Sequence, residues 1–326
     1  MMRFEYYEPK SIAEAISFAN HLPGEAKWLA GGTELLPKLK QRALMADHII
    51  NLKKIPELVG ISQNDSAIRI GSLTTLEELA TSKLVTRSFP ALSEAAYGVA
   101  TPNIRRAATI GGNLCQAPNC LYFVHRNLWR LPECYGAGGN TCNAVRGARK
   151  CTAMSPVDTG PALIILGVEL EIESSKKTKM PLESFFVSSG ITALGKDEMI
   201  TSIVIPDLPL QSGSAYLKFS RRKTVDYAIT SVGVRVVLGP DTDHCLEARV
   251  ALGGMGPIPL RTSKAEEILT GERMTPAVLS KVAEVASQAG QPWTDIHASN
   301  YYRRHLAKVL VGRALSLAIT RARAAG

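Results

Sequence analysis

Cys120, Cys134, Cys142 and Cys151 follow one another with 13, 7 and 8 residues between them, while Cys115 lies just before that run and Cys245 far beyond it. Thiolates gathered this densely need a cause. The chain opens on Met1-Met2-Arg3-Phe4-Glu5 without a secretory leader, so a reducing compartment is expected, where clustered cysteines serve metals more often than disulfides. The spacing lacks the C-x-x-C knuckles of structural zinc and of bacterial ferredoxins, so it does not choose between zinc and an iron–sulfur cluster. Residues 119–155 also carry Arg126, Arg130, Arg146, Arg149 and Lys150 against a single acid, Glu133. That surplus suits an anionic cluster, whose potential responds to nearby charges and amides, although solvated loops are often basic too.

A second chemistry resides in two glycine loops, Ala30-Gly31-Gly32-Thr33-Glu34 and Ala108-Thr109-Ile110-Gly111-Gly112-Asn113. Without side chains, consecutive amides can close on an anion as a nest, and a helix start adds the favourable end of its dipole. One pyrophosphate bridged between the two loops is the expected arrangement. Neither loop fits G-x-G-x-x-G or the Walker pattern, and a Gly-Gly pair alone is more often a plain turn.

Alternating helices and strands must position these loops. Ser11 with Glu14 is a capping box opening a helix through Ala19, and Thr75 with Glu78 a second. Lys27 to Ala30 reads as a strand running into the first loop, with Thr33 capping a helix that extends to about Arg42. His48 to Leu52 reads as a buried strand, and Leu92, Ala95, Ala96 and Val99 mark a helix ending before Pro102. Residues 119–155 show no periodicity, so no core element is expected there. A Pro-, Ser- and Gly-rich stretch from Asp207 to Gly213 reads as a linker. Beyond it, strands near residues 215–221, 229–238 and 247–252 precede helices near 276–288 and 301–322, the signature of an α+β domain.

With 326 residues, the chain is long enough for two or three domains, and 45% apolar against 21% charged residues is ordinary for a globular protein. No apolar run reaches the length of a membrane span. The net charge of +9 is scattered in small groups without a nucleic-acid motif, so a nucleic-acid partner is not expected. A cytoplasmic location is the default.

In this order the two loops resemble the A-G-G-T-x-L and A-T-I-G-G-N motifs of the FAD-binding subunits of the xanthine dehydrogenase, or molybdenum hydroxylase, family. Further landmarks are Glu198 to Pro206, Tyr216-Leu217-Lys218 with Arg222 and Asp226, and Tyr301-Tyr302-Arg303-Arg304 with Leu310. The resemblance implies an α+β chain with a vanillyl-alcohol-oxidase (PCMH-type) FAD fold in two subdomains, 1–55 and 56–210, followed by a smaller α+β domain, 211–326. It implies that Leu29, Ala30, Gly31, Gly32, Thr33, Glu34, Leu35 and Leu36 wrap the pyrophosphate and ribityl chain. Ala108, Thr109, Gly112 and Asn113 form the second phosphate-side loop, and Ala100, Ile104, Asp158, Ile200 and Lys218 fall at further FAD positions. Plain structural roles exist for the last three: a helix cap for Asp158, strand core for Ile200, a solvated face for Lys218.

Most members run directly from G-G-N to the aspartate, whereas here an insertion intervenes that resembles the cluster loop of 4-hydroxybenzoyl-CoA reductase and of some bacterial aldehyde oxidoreductases. That likeness implies a [4Fe–4S] cluster on Cys120, Cys134, Cys142 and Cys151. Cys115 is the rival for Cys120's place, but Leu121-Tyr122-Phe123 beside Cys120 carries the likeness. The family further implies a large molybdenum-cofactor subunit, a small [2Fe–2S] subunit, a dimer of heterotrimers and an external electron carrier, with no catalytic side chain in this subunit. Two other readings remain at this stage: a flavin-free assembly subunit whose cysteines bind zinc, and a stand-alone flavin oxidase.

Overall fold

The computed structural model describes residues 3–64 and 66–325, which divide into two compact units. The first comprises Met1–Leu76, Pro102–Ala153 and Glu169–Ile205; the second comprises Glu77–Thr101, Met154–Val168 and Pro206–Gly326.

Both glycine loops and the cysteine run belong to the first unit. Its parallel three-stranded sheet places His48–Asn51 between Glu5–Tyr7 and Ala26–Leu29. All four residues of the central strand are buried, as expected of a parallel strand covered on both faces. The helix Ile12–His21 packs Ala15 and Ile16 against Ile50, Leu52, Ile55 and Leu58. Ser11 caps it as expected by accepting from Glu14 N, but the Glu14 carboxylate reaches back to Lys10 N, one residue earlier than in the standard box. A second sheet orders its strands Ile61–Gln63, Ala67–Gly71, Met199–Pro206, Glu169–Glu173 and Lys177–Pro181. In Glu169–Glu173 buried Leu170 and Ile172 alternate with more exposed glutamates, the period-two pattern of a strand with one face inward.

The second unit is built on an antiparallel sheet ordered Ser212–Phe219, Thr230–Leu238, Cys245–Gly253, Leu260–Arg261. Val232, Val234 and Val236 pack on one face with Leu310, Val311 and Leu315 of the long helix Asn300–Ala324. On the other face Gly233 lies so close to the helix Gly160–Ile165 that a Cβ there would stand 2.6 Å from Pro161 O. Covered on both faces, the strand Thr230–Leu238 is buried throughout.

Several expected elements differ. Thr33 caps nothing: the helix runs Leu35–Lys40, with Glu34 at its N-cap and no side-chain cap bond. Residues 119–155 are not wholly outside the core. Their short helix Leu121–Val124 buries Phe123 and Val124 against Ala43 and Cys134, a contact that periodicity cannot reveal in four residues.

The landmark Tyr301-Tyr302-Arg303-Arg304 is explained by Arg303, only 2% exposed in the second unit. Its guanidinium donates to Ile229 O and Gly254 O and pairs with Asp295 at 2.7 Å, so it fastens the long helix to two ends of the sheet. Replacing Arg303 with alanine strands these acceptors and is expected to cost about 3 kcal/mol, measurable by urea unfolding.

Candidate functional site

The strand Ala26–Leu29 ends at buried Leu29 and delivers Ala30 to Glu34 as an open turn. Gly31 is pressed against the second loop: a Cβ there would lie 1.9 Å from Ala107 O and 3.1 Å from Ala108 Cα. Gly32 has φ +75°, the left-handed region that glycine enters without strain. The N–H groups of Gly31, Gly32, Thr33 and Glu34 donate to no atom among the described residues. Four successive unpaired amides beside a helix start are what an anion nest requires.

The second loop is built differently from the expected twin nest. Ile110 N donates to Thr74 O at 3.0 Å and Gly111 N to Ser72 O at 2.9 Å, while Leu76 N donates to Ala108 O at 2.9 Å. Thr109 caps the helix Ile110–Leu114, its Oγ1 accepting from Gly112 N at 3.2 Å, and Asn113 N bonds to Thr109 O. The Ile110 and Gly111 amides are thus spent on bracing the loop against Thr74 and Ser72, and those of Gly112 and Asn113 on Thr109. Only its side chains and exposed edges remain for a ligand. Gly111 is required for the fit, because a Cβ would sit 2.9 Å from Ser72 O.

Of the isolated positions, Ile104 is 36% exposed on the short helix Pro102–Arg105, and its carbonyl accepts from Ala108 N at 2.7 Å. Ile200 is buried in the strand Met199–Pro206, opposite Ile172 and next to a register shift. Ala100, in the second unit, holds φ +45°, which alanine adopts only under constraint; its carbonyl accepts from Val225 N. Asp158 and Lys218, also in the second unit, neither cap a helix nor face solvent. They form a buried ion pair at 2.7 Å, with Lys218 Nζ also donating to Gly98 O at 2.9 Å. Burial pushes the Asp158 carboxyl above the usual aspartate range, while Lys218 and the Ala228 amide pull it the other way. Beside them the Tyr216 hydroxyl is buried near that of Ser231, and burial, with the Asp158 charge, pushes it well above the usual tyrosine range.

Cys120, Cys134, Cys142 and Cys151 all line one small cavity of about 20 Å³. Tyr122, Phe123, Gly136 and Thr152 complete its wall, and Cys115 takes no part. Gly136, which sequence reasoning missed, faces two of the thiols: a Cβ there would make ordinary contact, at 3.9 Å, with both Cys134 Sγ and Cys151 Sγ. Burial raises the thiol pKa values of Cys120 and Cys151, and neighbouring thiols add to it. Cys142 behaves oppositely. Burial, its largest single influence, would raise it, but the Thr152 hydroxyl at 3.4 Å and the amides of Val145, Ala144 and Thr152 together bring it below the usual value. The Ser189 hydroxyl, buried next to Cys151, has no settled hydrogen bond among the described residues. No three His, Cys, Asp or Glu side chains among the described residues are grouped as a metal-ion site.

Residues 2–208 match the model of the FAD binding domain in molybdopterin dehydrogenase, and residues 215–318 that of the CO dehydrogenase flavoprotein C-terminal domain. The chain belongs to this family of FAD-binding subunits. Similar relatives include the carbon monoxide dehydrogenase medium chain of Hydrogenophaga pseudoflava, 31% identical over 98% of both chains. The 6-hydroxypseudooxynicotine dehydrogenase complex subunit alpha of Paenarthrobacter nicotinovorans is 30% identical over 98% of this chain and 96% of its own. Among solved structures, carbon monoxide dehydrogenase from H. pseudoflava superposes with a TM-score of 0.83 at 28% identity, covering 98% of each chain. The subunit is therefore an FAD-binding oxidoreductase component of the molybdenum hydroxylase type. No helix among the described residues is long and apolar enough to cross a membrane.

Two measurements follow. Gly31→Ala should drive the glycine loops apart and lower the flavin retained on purification at least about ten-fold, since a 1.9 Å contact with backbone cannot be relieved by a rotamer change. Lys218→Met should leave Asp158 buried without its counter-charge and cost about 3 kcal/mol in urea unfolding, with Asp158→Asn in the same chain recovering most of it.

Proposed function

We propose that this subunit holds FAD on the first glycine loop and a [4Fe–4S] cluster in the four-cysteine cavity, and relays electrons between them. The observation that carries the reading is the pairing, within one unit, of a run of unpaired amides with a cavity lined by four thiols. Leu29 to Leu36 would wrap the diphosphate and ribityl chain. Ala108, Thr109, Gly112 and Asn113 would face it from the braced side, with Ala100, Ile104, Asp158, Ile200 and Lys218 as further contacts. FAD supplies both one- and two-electron exchange when bound, and the cluster supplies single-electron storage. The chain's own task is to grip and tune: the amides of Gly31 to Glu34 neutralise phosphate charge, and Thr152 with the amides around Cys142 favours a thiolate.

The likeness of the insertion to the cluster loop of 4-hydroxybenzoyl-CoA reductase is what favours a [4Fe–4S] cluster over a single zinc. Nothing favours a flavin-free zinc subunit or a stand-alone oxidase. Relatives described as a medium chain and as a dehydrogenase complex subunit support a multi-subunit assembly; the family resemblance implies that it is a dimer of heterotrimers in the cytoplasm. It would contain a large molybdenum-cofactor subunit and a small [2Fe–2S] subunit, and would exchange electrons with an external carrier. The domain division proposed is 1–55, 56–210 with the insertion 119–155, and 211–326.

Metal and flavin analysis of the anaerobically purified chain should give one FAD and about four irons, the stoichiometry of a four-thiolate cluster. Cys134→Ser or Cys142→Ser should remove the iron and spare the flavin; iron equal to wild type in both variants would refute the ligand assignment.

A further inference from the structure

Lys38 sits on the helix Leu35–Lys40 that leaves the first glycine loop, yet it is only 3% exposed. Its ammonium pairs with Glu34 of that loop and donates to Ala117 O at 3.1 Å and Pro118 O at 3.2 Å, the carbonyls that lead into Cys120. An ammonium has three N–H donors and a neutral amine two, so three acceptors match the charged form. The same nitrogen lies 5.7 Å from the centroid of Phe123, whose ring lines the thiol cavity and packs with Cys134. Lysines are rarely buried without a purpose that offsets desolvation, which here is the largest influence on Lys38 and lowers its pKa against the pull of Glu34.

We infer that Lys38 is a positioning residue that joins the flavin loop to the cysteine cage and supplies the cage with a buried positive charge. The inference rests on the proposed presence of a cluster. Two consequences follow from the geometry. Mechanically, the carbonyls of Ala117 and Pro118 are held from the glycine-loop side, so the Cys120 edge of the cage keeps a set distance from the loop. Electrostatically, a reduced cluster carries one more negative charge than an oxidised one. A cation in a low-dielectric setting, one aromatic ring from the cavity, therefore favours reduction, and Glu34 partly offsets it.

The test uses the intact purified complex and reads the midpoint potential of the cluster by redox titration with electron paramagnetic resonance, with iron and FAD counted alongside. Lys38→Met should shift the potential to more negative values, and Lys38→Arg, which keeps the charge, should lie nearer wild type. Glu34→Gln should shift it the opposite way by uncovering the cation. A merely structural role would not give shifts of opposite sign. If Lys38→Met fails to retain iron, Glu34→Gln still decides, since no positive shift there overturns the inference. Iron present at the wild-type level with potentials unmoved in all three variants overturns this inference alone. A wild-type complex without iron overturns the proposed function, and this inference with it.

Discussion

The first unit turns on one close approach of backbone to backbone, Gly31 against the Ala107 carbonyl and Ala108. No side chain fits there. Because the loops touch at that point, bracing one positions the other, and their division of labour follows. The second loop spends its amides on Ser72, Thr74 and its own Thr109, while four amides of the first have no partner among the described residues. Two free nests would each need an anion to satisfy them, and one braced wall with one nest needs only a single diphosphate.

The cysteine cavity depends on the same frame. Its helix Leu121–Val124 is too short to be stable alone, and its order comes from burying Phe123 and Val124 against Ala43 and Cys134. Gly190 adds a second brace, since a Cβ there would stand 2.1 Å from Pro118 Cδ. The cage is thus held from the core side on one edge and by the turn near Ser189 on another.

Much was legible in the residues. The caps at Ser11, the buried strand at His48–Asn51 and the strand-then-helix order after residue 212 follow from period and capping chemistry that neighbours in sequence enforce. The four cysteines were legible as a group by their spacing, and they line one cavity from which Cys115 is absent. Thr33 misled because a hydroxyl before a helical run is a good cap only when the turn places it at the N-cap, and here Glu34 takes that position. Lys38 was missed although its spacing from Glu34 was visible, since such pairs usually lie on solvated faces.

By itself the chain determined which groups are present and which elements form, because helix caps, strand alternation and glycine turns are settled within a few residues of one another. Only the tertiary structure decided which amides stay unpaired, which lysine is buried and that four thiols, with up to 13 residues between neighbours, line one cavity. Those outcomes depend on what packs against each segment from far along the chain, and burial is what turns an ordinary charge or amide into a functional one.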